Sequence, residues 1–163
     1  MRGIFKEKKI ESYIIENRNA FYKVAYSYTK NEEDALDIVQ ESIYKALNSI
    51  DSLKEYGKIK SWFYKILIRT SIDFIRKYKK YIHIESMMEE SECDEYKDID
   101  LDNALNKIPT KYKTIIILKY FEDFKIEEIA EMLGENVNTV KSRLYAALKK
   151  LKVEMKGDNF DEW

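Results

Sequence analysis

Basic and aromatic side chains alternate along residues 61–80, which read SWFYKILIRTSIDFIRKYKK. Cations neutralise phosphates and aromatic rings stack on unpaired bases, so this mixture suits the binding of single-stranded nucleic acid. A solvated basic helix with core aromatics is the alternative, because Lys and Arg near a helix C-terminus also suit the helix dipole. We expect the outer surface to carry Tyr64, Lys65, Arg69, Arg76, Lys77, Lys79 and Lys80. The residues expected in the core are Trp62, Phe63, Ile66, Ile75 and either Ile72 or Phe74.

A second polar surface is predicted on the segment that follows Gly134. A helix advances by about 100 degrees per residue, which here gives one apolar inner face of Val140, Leu144, Ala147 and Leu151. The opposite face carries hydroxyl, amide and ammonium groups, which can bond to base edges in the major groove of DNA. Its members are Asn138, Thr139, Lys141, Ser142, Tyr145, Ala146 and Lys149. Arg143 and Lys150 at the flanks suit phosphate contacts, although an ordinary helical hairpin with a solvated lysine face is the alternative.

Three helices are predicted to position the first surface. Apolar residues at three- and four-residue spacing predict a helix over residues 10–28. We expect Asn31 to cap a second helix, with acidic residues in its first turn, and Ser61 to cap the third. The inner face of the second helix is predicted to be Ala35, Ile38, Val39, Ser42, Ile43, Ala46, Leu47 and Ile50. Its acidic, amide-rich outer face would carry Asp37, Gln40, Glu41, Tyr44 and Lys45.

The second surface is predicted to lie in a helix-turn-helix. A short helix over residues 101–108 should end at Pro109, after which Thr110 is expected to cap a helix with a buried apolar centre. The next helix ends at Gly134. Its inward residues are predicted to be Ile126, Ile129, Ala130 and Leu133. Two helices of this length joined by a short glycine-containing turn, with Val137 bridging to the second, have helix-turn-helix spacing.

Composition and charge predict an all-α protein of two small domains. Only four Gly and one Pro occur in 163 residues, too few for the turns of a sandwich or barrel. The net charge is +6 over residues 1–80, −8 over 81–103, +4 over 104–156 and −3 over the tail. We therefore predict a first domain at 1–82, a flexible acidic linker at 83–100, a helix-turn-helix (winged-helix-like DNA-binding) domain at 101–156 and a tail at 157–163. A solvated acidic helix, or a mimic of nucleic-acid charge that shields a basic lobe, are other interpretations of the linker.

The residue inventory argues against catalysis and metal binding. A single histidine, His83, and a single cysteine, Cys93, can form neither a Cys/His metal cluster nor a disulfide within the chain. We find no phosphate-binding glycine motif and no nucleophile with an obvious base, so no enzyme activity, metal or cofactor is expected. The longest aliphatic run, residues 115–118, is too short to cross a bilayer, and the N-terminus lacks a signal peptide's apolar stretch. A cytoplasmic location is expected.

Three segments, in this order, resemble the small two-domain sigma factors of bacterial RNA polymerase, of the extracytoplasmic-function (ECF) type. NEEDALDIVQESIYKAL resembles the family's core-polymerase-binding segment, with the Asp-x-x-Gln-Glu pattern at Asp37, Gln40 and Glu41. IKSWFYKILIRTSIDFIRKYKK resembles its promoter-melting segment. EEIAEMLG followed by TVKSRLYAALKKL resembles its C-terminal helix-turn-helix. The match spans most of residues 10–153, and the order and separation of the segments make it specific.

The resemblance implies a role for each segment. The coiled coil of the polymerase beta-prime subunit would be contacted by Asp37, Gln40, Glu41 and Tyr44, while the C-terminal domain would meet the beta flap. The loop expected to take a flipped base of the -10 element contains Ser52, Leu53, Lys54 and Tyr56. The melted strand would be held by Trp62, Tyr64, Lys65, Arg69 and Arg76. The -35 element would be read by Lys141, Ser142 and Tyr145, with Asn138, Thr139, Arg143 and Lys149 beside them. An anti-sigma factor is a further expected partner.

Four positions depart from the family pattern. Glu135 follows the turn glycine, where the family often has an apolar residue. Asn138 stands where glycine is common, and Asn tolerates that backbone. Arg69 replaces a usual asparagine, and Ala146 replaces a frequent basic side chain. A -35 contact is therefore expected to be missing, and the promoter sequence is expected to be atypical.

The sequence thus predicts a non-enzymatic alternative sigma factor that binds core RNA polymerase and directs initiation at promoters with -10 and -35 elements. A free-standing helix-turn-helix regulator is the alternative, and it would bind duplex DNA tightly without polymerase. A helical adaptor or anti-sigma partner with no role at DNA is the third hypothesis. It would require the basic faces to be incidental.

Overall fold

The computed structural model describes residues 2–85 and 99–155, with the side chains of residues 3–78 and 101–155. Every regular element in these ranges is helical, which confirms the all-α prediction. The chain divides into two compact units, Met1–Ile84 and Glu85–Trp163. Most of the predicted acidic linker and the tail DNFDEW lie outside the described residues, and so does Cys93. The side chains of Lys79, Lys80 and His83 lie outside them too.

Three long helices and two short turns form the N-terminal unit. Helix α1 spans Arg2–Thr29, α2 spans Glu32–Asn48 and α3 spans Ile59–Glu85. The 3-10 turns Ile50–Ser52 and Tyr56–Lys58 connect α2 to α3. Helix α1 therefore begins well before residue 10, where the apolar spacing predicted its start.

Capping follows the prediction at α2 but not at α3. The Oδ1 atom of Asn31 accepts a hydrogen bond from the backbone N–H of Asp34 at 2.9 Å, and three carboxylates occupy the first turn. Helix α3 starts at Ile59, so the prediction that Ser61 caps it is wrong. The hydroxyl of Ser61 instead donates to the carbonyl oxygen of Lys58 at 3.2 Å.

Stacked aromatic rings form the centre of the N-terminal core. Phe21 of α1 and Phe63 of α3 are fully buried, and their ring centroids lie 4.2 Å apart. The Tyr64 ring meets Phe21 edge-on at 5.5 Å, and Tyr13 lies against both phenylalanines. Each such pair adds about 0.5–1.5 kcal/mol beyond the area that it buries, so these rings fix α3 against α1.

The buried face of α3 differs in part from the predicted one. Phe63 is buried as predicted, but the other expected core residues stay partly exposed. The additional buried residues are Tyr64, Leu67, Ile68, Thr70 and Ser71. Helix α3 packs against two helices, against α1 through aromatic rings and against α2 through Thr70. Its buried face is therefore wide enough to include polar residues. The Ser71 hydroxyl donates to the carbonyl oxygen of Leu67 at 2.8 Å, which satisfies it inside the core.

Within residues 99–155, the C-terminal unit has four α-helices. Helix α4 spans Ile99–Lys107, α5 spans Thr110–Ile116, α6 spans Ile126–Leu133 and α7 spans Val137–Glu154. The π-helical turn Ile117–Phe121 continues α5. Residues 99–155 contain no strand, and so no wing.

The helix α5 carries the predicted buried centre but not the predicted cap. Thr110 is its first helical residue and Pro109 occupies the cap position without a side-chain hydrogen bond, so the prediction that Thr110 caps the helix is wrong. The four aliphatic residues at 115–118 are all buried, as predicted. The side chain of Lys113 is also buried, and its ammonium donates to Oδ1 of Asn106 at 3.0 Å, which joins α5 to α4.

A tight turn joins α6 to α7. Gly134 ends α6 with φ of +69°, a left-handed conformation that glycine adopts without strain, as the sequence predicted. The next N–H, from Glu135, donates to the carbonyl of Ala130 at 2.9 Å. Asn136 caps α7 through Oδ1, which accepts from the N–H of Thr139 at 2.7 Å. Asn138 lies in the first turn of α7, so it does not need the backbone freedom of the glycine common in the family.

Candidate nucleic-acid interface

The apolar face of α7 packs inside the C-terminal unit, so the helix presents its polar face to solvent. Val140, Leu144, Ala147 and Leu151 are buried, which confirms the predicted inner face. The opposite face is exposed as predicted at Asn138, Lys141, Ser142, Tyr145 and Lys149. Tyr145 is 74% exposed and presents its ring to solvent on this face. Thr139 and Ala146 are half-buried at its edges.

The two cations expected at the flanks of α7 are both engaged within the C-terminal unit. Nη1 of Arg143 lies 3.1 Å from Oε1 of Glu135, and both side chains are about one-third exposed. The Lys150 ammonium lies 5.4 Å from the centroid of the Tyr112 ring. Partly screened pairs of this kind stabilise weakly, by about 0.2–1 kcal/mol, so DNA phosphates can compete for both cations.

The basic face of α3 is exposed toward its C-terminal half. Arg69, Arg76 and Lys77 are exposed and Lys65 is half-buried. Tyr64 was predicted on this outer surface, and that placement is wrong, because the side chain is 2% exposed and packs on Phe21. The alternation of residue types along α3 could not distinguish its inner from its outer aromatics.

The loop before α3 is held by a chain of hydrogen bonds. The indole Nε1 of Trp62 donates to Oγ of Ser52 at 2.8 Å, and that hydroxyl donates to the carbonyl oxygen of Ser49 at 2.6 Å. Leu53 is 2% exposed and anchors the loop in the core, whereas Lys54 is exposed. Of the predicted base-binding residues, the loop therefore presents Ser52, Lys54 and Tyr56 at the surface, but not Leu53.

The first turns of α1 lie against this loop, which the sequence reasoning missed. The Lys9 ammonium lies 4.6 Å from the centroid of the Tyr56 ring and 5.2 Å from that of Phe5. The available signal was the four-residue spacing of Phe5 and Lys9, which places both on one side of a helix. The charged composition of residues 2–9 concealed that helix.

The acidic and amide-rich face of α2 is exposed as predicted. Asp37, Gln40 and Glu41 lie on it beside Tyr44, whose ring is 70% exposed. The Lys45 ammonium lies 3.4 Å from Oε1 of Glu41 and donates to Oγ1 of Thr70 at 3.3 Å, which ties this face to α3. Lys45 therefore links this face of α2 to α3.

The described residues contain neither a metal-binding cluster nor a membrane-spanning helix. No group of three or more His, Cys, Asp or Glu side chains is arranged to hold a metal ion within residues 2–85 and 99–155. In the same part of the chain, no helix combines the length and apolar character needed to span a membrane.

Comparison with known proteins identifies both halves of the chain. Residues 14–81 match the family profile described as Sigma-70 region 2, and residues 98–151 match that of Sigma-70, region 4. The chain is 53% identical over 146 residues to "RNA polymerase sigma factor SigV" of Bacillus subtilis (strain 168), a match that covers 87% of this chain and 88% of that protein. It is 28% identical to "ECF RNA polymerase sigma factor SigW" of the same strain, over 85% of this chain and 84% of that one.

Solved structures share the fold. The sigma factor RpoE from Bartonella quintana, in a co-crystal structure with the anti-sigma factor NepR, matches with a TM-score of 0.79 at 24% identity, over 93% of this chain and 99% of that one. CnrH, solved with the cytosolic domain of CnrY, matches with a TM-score of 0.72 at 19% identity, over 96% of each chain. The chain belongs to the sigma-70 family of RNA polymerase sigma factors, as an alternative sigma factor of the ECF type that directs transcription initiation.

Proposed function

We propose that the chain binds core RNA polymerase through the exposed face of α2. Asp37, Gln40, Glu41 and Tyr44 would contact the coiled coil of the beta-prime subunit, and the C-terminal unit would meet the beta flap. The support is an exposed face that combines carboxylates, an amide and a 70% exposed tyrosine ring on a rigid helix. Tyrosines that become buried on binding are common anchors in protein interfaces, so the exposed Tyr44 suits a docking surface.

The N-terminal unit is proposed to bind the -10 element as single-stranded DNA. Ser52, Lys54 and Tyr56 would receive a flipped base, and Leu53 would hold the loop in place from inside the core. The melted strand would then follow the exposed cations of α3, Arg69 and Arg76, with Lys65 and the Trp62 ring beside them. Tyr64 contributes through packing, because its ring is buried.

The C-terminal unit is proposed to read the -35 element through α7. Lys141, Ser142 and Tyr145 would contact base edges, with Asn138, Thr139 and Lys149 beside them and Arg143 at the backbone. The observation that carries the proposed function is this exposed polar face on a helix whose apolar face is completely buried. Such a helix can enter a major groove without losing any of its own packing.

The division of the chain into two domains suits simultaneous contact with two promoter elements. We propose a first domain at residues 1–82, an acidic linker at 83–100, a second domain at 101–156 and a tail at 157–163. A linker that tethers two DNA-binding domains lets each weak DNA contact raise the effective concentration of the other. Catalysis then belongs to the polymerase, the chain itself is not an enzyme, and it acts in the cytoplasm, where transcription occurs.

An anti-sigma factor is proposed as a regulatory partner. RpoE from Bartonella quintana, which shares the fold of this chain, was solved in complex with the anti-sigma factor NepR. On this chain the face of α2 is a candidate surface, because Leu36 is 51% exposed beside the polymerase-binding residues. A partner that covered Leu36 and Tyr44 would block polymerase binding.

Run-off transcription from a genomic fragment library tests the proposed function. Purified core polymerase is used with and without the full chain, and the start sites are mapped. We expect new start sites only with the chain present, preceded by a shared two-part sequence. The matched control is the Asp37→Lys, Gln40→Ala double variant, which should fold normally and lose initiation. Protection of duplex sites by the chain alone, with no new initiation, would instead indicate a free-standing regulator.

A further inference from the structure

The exposed face of α7 extends beyond the residues proposed to contact the -35 element. Tyr145, Lys149 and Val153 follow one another at four-residue spacing, which places them close to one row along the helix. All three side chains are exposed, and Val153 is 61% exposed although it is aliphatic. The row is therefore apolar at both ends and basic in the middle, and its apolar end at Val153 has no part in the proposed contact with DNA.

The tail, residues 157–163, has residue types that complement this row. It reads GDNFDEW, with two aromatic and three acidic residues and no basic one. Its aromatic rings suit apolar contact with Tyr145 and Val153, and its carboxylates suit an ion pair with Lys149. The pattern of the tail thus matches the pattern of the row, and neither the -10 contacts nor the -35 contacts proposed above use the tail.

We propose that the tail docks on this row of α7 and competes there with -35 DNA. The inference rests on the proposed function, because α7 is the helix proposed to read that element. The tail and the DNA would both contact Tyr145 and Lys149, so the two cannot occupy the row together. The docked tail would therefore lower the affinity of the C-terminal unit for DNA until a promoter displaces it.

The tail is long enough to reach the row. At the end of α7, the N–H of Met155 donates to the carbonyl oxygen of Leu151 at 3.0 Å, so the chain leaves the helix at this point. Tyr145 lies ten residues earlier, about 15 Å along the helix axis. The eight residues 156–163 span up to about 26 Å when extended, which allows a turn and the return path. Gly157 begins the tail with a residue type that favours such a turn.

A weak contact is sufficient for this competition. A short tether gives the tail an effective concentration at the row on the order of 1 mM. A contact whose dissociation constant is about 0.5 mM then lowers the apparent affinity for DNA about 3-fold. Helix α7 itself needs no rearrangement when the tail leaves, because its apolar face is buried in the C-terminal unit.

Fluorescence of Trp163 in the full chain tests the docking itself. The chain has two tryptophans, so Trp163 is the sole reporter once Trp62→Phe is introduced. We expect its emission at a shorter wavelength than that of a free GDNFDEW peptide, because docking shields the indole from water. Val153→Ser should shift the emission toward that of the peptide. The matched control is Ile15→Ser, at a 67% exposed position of α1, which should leave the emission unchanged.

The affinity of holoenzyme for the upstream duplex of a promoter mapped as described above tests the competition. Deletion of residues 157–163 should raise this affinity about 3-fold. The double variant Phe160→Ala, Trp163→Ala should raise it by a similar factor, although it keeps all three acidic residues of the tail. Val153→Ser should raise the affinity in the full chain and leave it unchanged in the shortened chain, because there the row has no tail to release.

The outcomes separate docking from simple charge repulsion and from failure of the proposed function. If the deletion raises the affinity but neither the aromatic double variant nor Val153→Ser does, the tail only repels DNA by its charge and the docking is wrong. If Val153→Ser leaves the Trp163 emission unchanged, docking on this row is wrong as well. If Trp163 responds to Val153→Ser but neither the full nor the shortened chain initiates transcription with core polymerase, the proposed function fails and the docking stands.

Discussion

The two surfaces proposed to bind DNA differ in how far their side chains are already engaged within the protein. On α7, the polar residues stand in solvent, and Tyr145 is 74% exposed. In the N-terminal unit, Trp62 is hydrogen-bonded to Ser52 and Lys9 lies on Tyr56. A groove of duplex DNA can be read by a rigid helix without rearrangement, whereas an unstacked base must displace existing contacts. Under the proposed function, the surface of α7 is therefore preformed, whereas the surface of the N-terminal unit must exchange internal contacts for contacts with DNA.

The largest expected effect is on the free energy of unfolding of the N-terminal unit. Phe63→Ala removes a fully buried ring stacked on Phe21, so it should destabilise the N-terminal unit by about 3–5 kcal/mol. Chemical denaturation followed by circular dichroism should then show two transitions, with only the earlier one moved. Ile15→Ala, at a 67% exposed position of α1, is the control. A shift of both transitions together would show that the units do not unfold independently.

The next effect concerns the exposed face of α7. Tyr145→Ala and Lys141→Ala should each weaken binding to duplex promoter DNA by about 1–3 kcal/mol, because each removes a predicted base contact. The melting temperature should stay unchanged, since both side chains are exposed. Holoenzyme affinity for the upstream duplex measures the effect, with Lys152→Ala as a control at the end of the helix. An equal loss of affinity for all DNA sequences would show that these residues contact the DNA backbone and not the bases.

A smaller effect is expected from the hydrogen bond that joins Trp62 to the loop before α3. Trp62→Phe keeps an aromatic ring but deletes the Nε1 hydrogen bond to Ser52, and it should cost about 0.5–1.5 kcal/mol of stability. Hydrogen exchange of residues 49–58 should become faster. In a Ser52→Ala background, Trp62→Phe should cost little more, because Ser52→Ala already removes this bond together with the one to Ser49. Full additivity of the two variants would mean that this bond does not hold the loop.

The smallest effect concerns Glu135, the residue that departs from the family pattern beside the turn. Glu135→Gln should free Arg143 for a phosphate, at a stability cost of about 0.2–1 kcal/mol. Non-specific DNA affinity should rise, and the slope of log affinity against log salt should steepen by about 0.9. Glu131→Gln, exposed on α6, is the control. An unchanged slope would mean that Arg143 stays away from phosphates even when unpaired.

Local signals predicted most of the C-terminal site. The inner face of α7 was predicted from helical periodicity. The end of α6 at Gly134 was predicted because glycine readily adopts the left-handed conformation that ends many helices. The ion pair of Arg143 with Glu135 was missed, because it crosses the turn and depends on where α7 begins.

In the N-terminal unit, the features that the sequence did not predict depend on packing between residues that lie far apart in the sequence. Tyr64 was expected at the surface, and its burial depends on the Phe21 ring of another helix. The first turns of α1 have few apolar residues, and they lie against Tyr56, which is far away in sequence. Such contacts leave no periodic signal in either segment.

Under the proposed function the two units read two forms of DNA, duplex through α7 and single strand through the N-terminal unit. A crossed binding measurement on holoenzyme tests it most directly, with an upstream duplex and a non-template single strand as the two probes. We expect Tyr145→Ala to lose affinity for the duplex alone and Tyr56→Ala to lose affinity for the single strand alone. If each variant weakens both probes equally, the division of DNA recognition between the units is wrong.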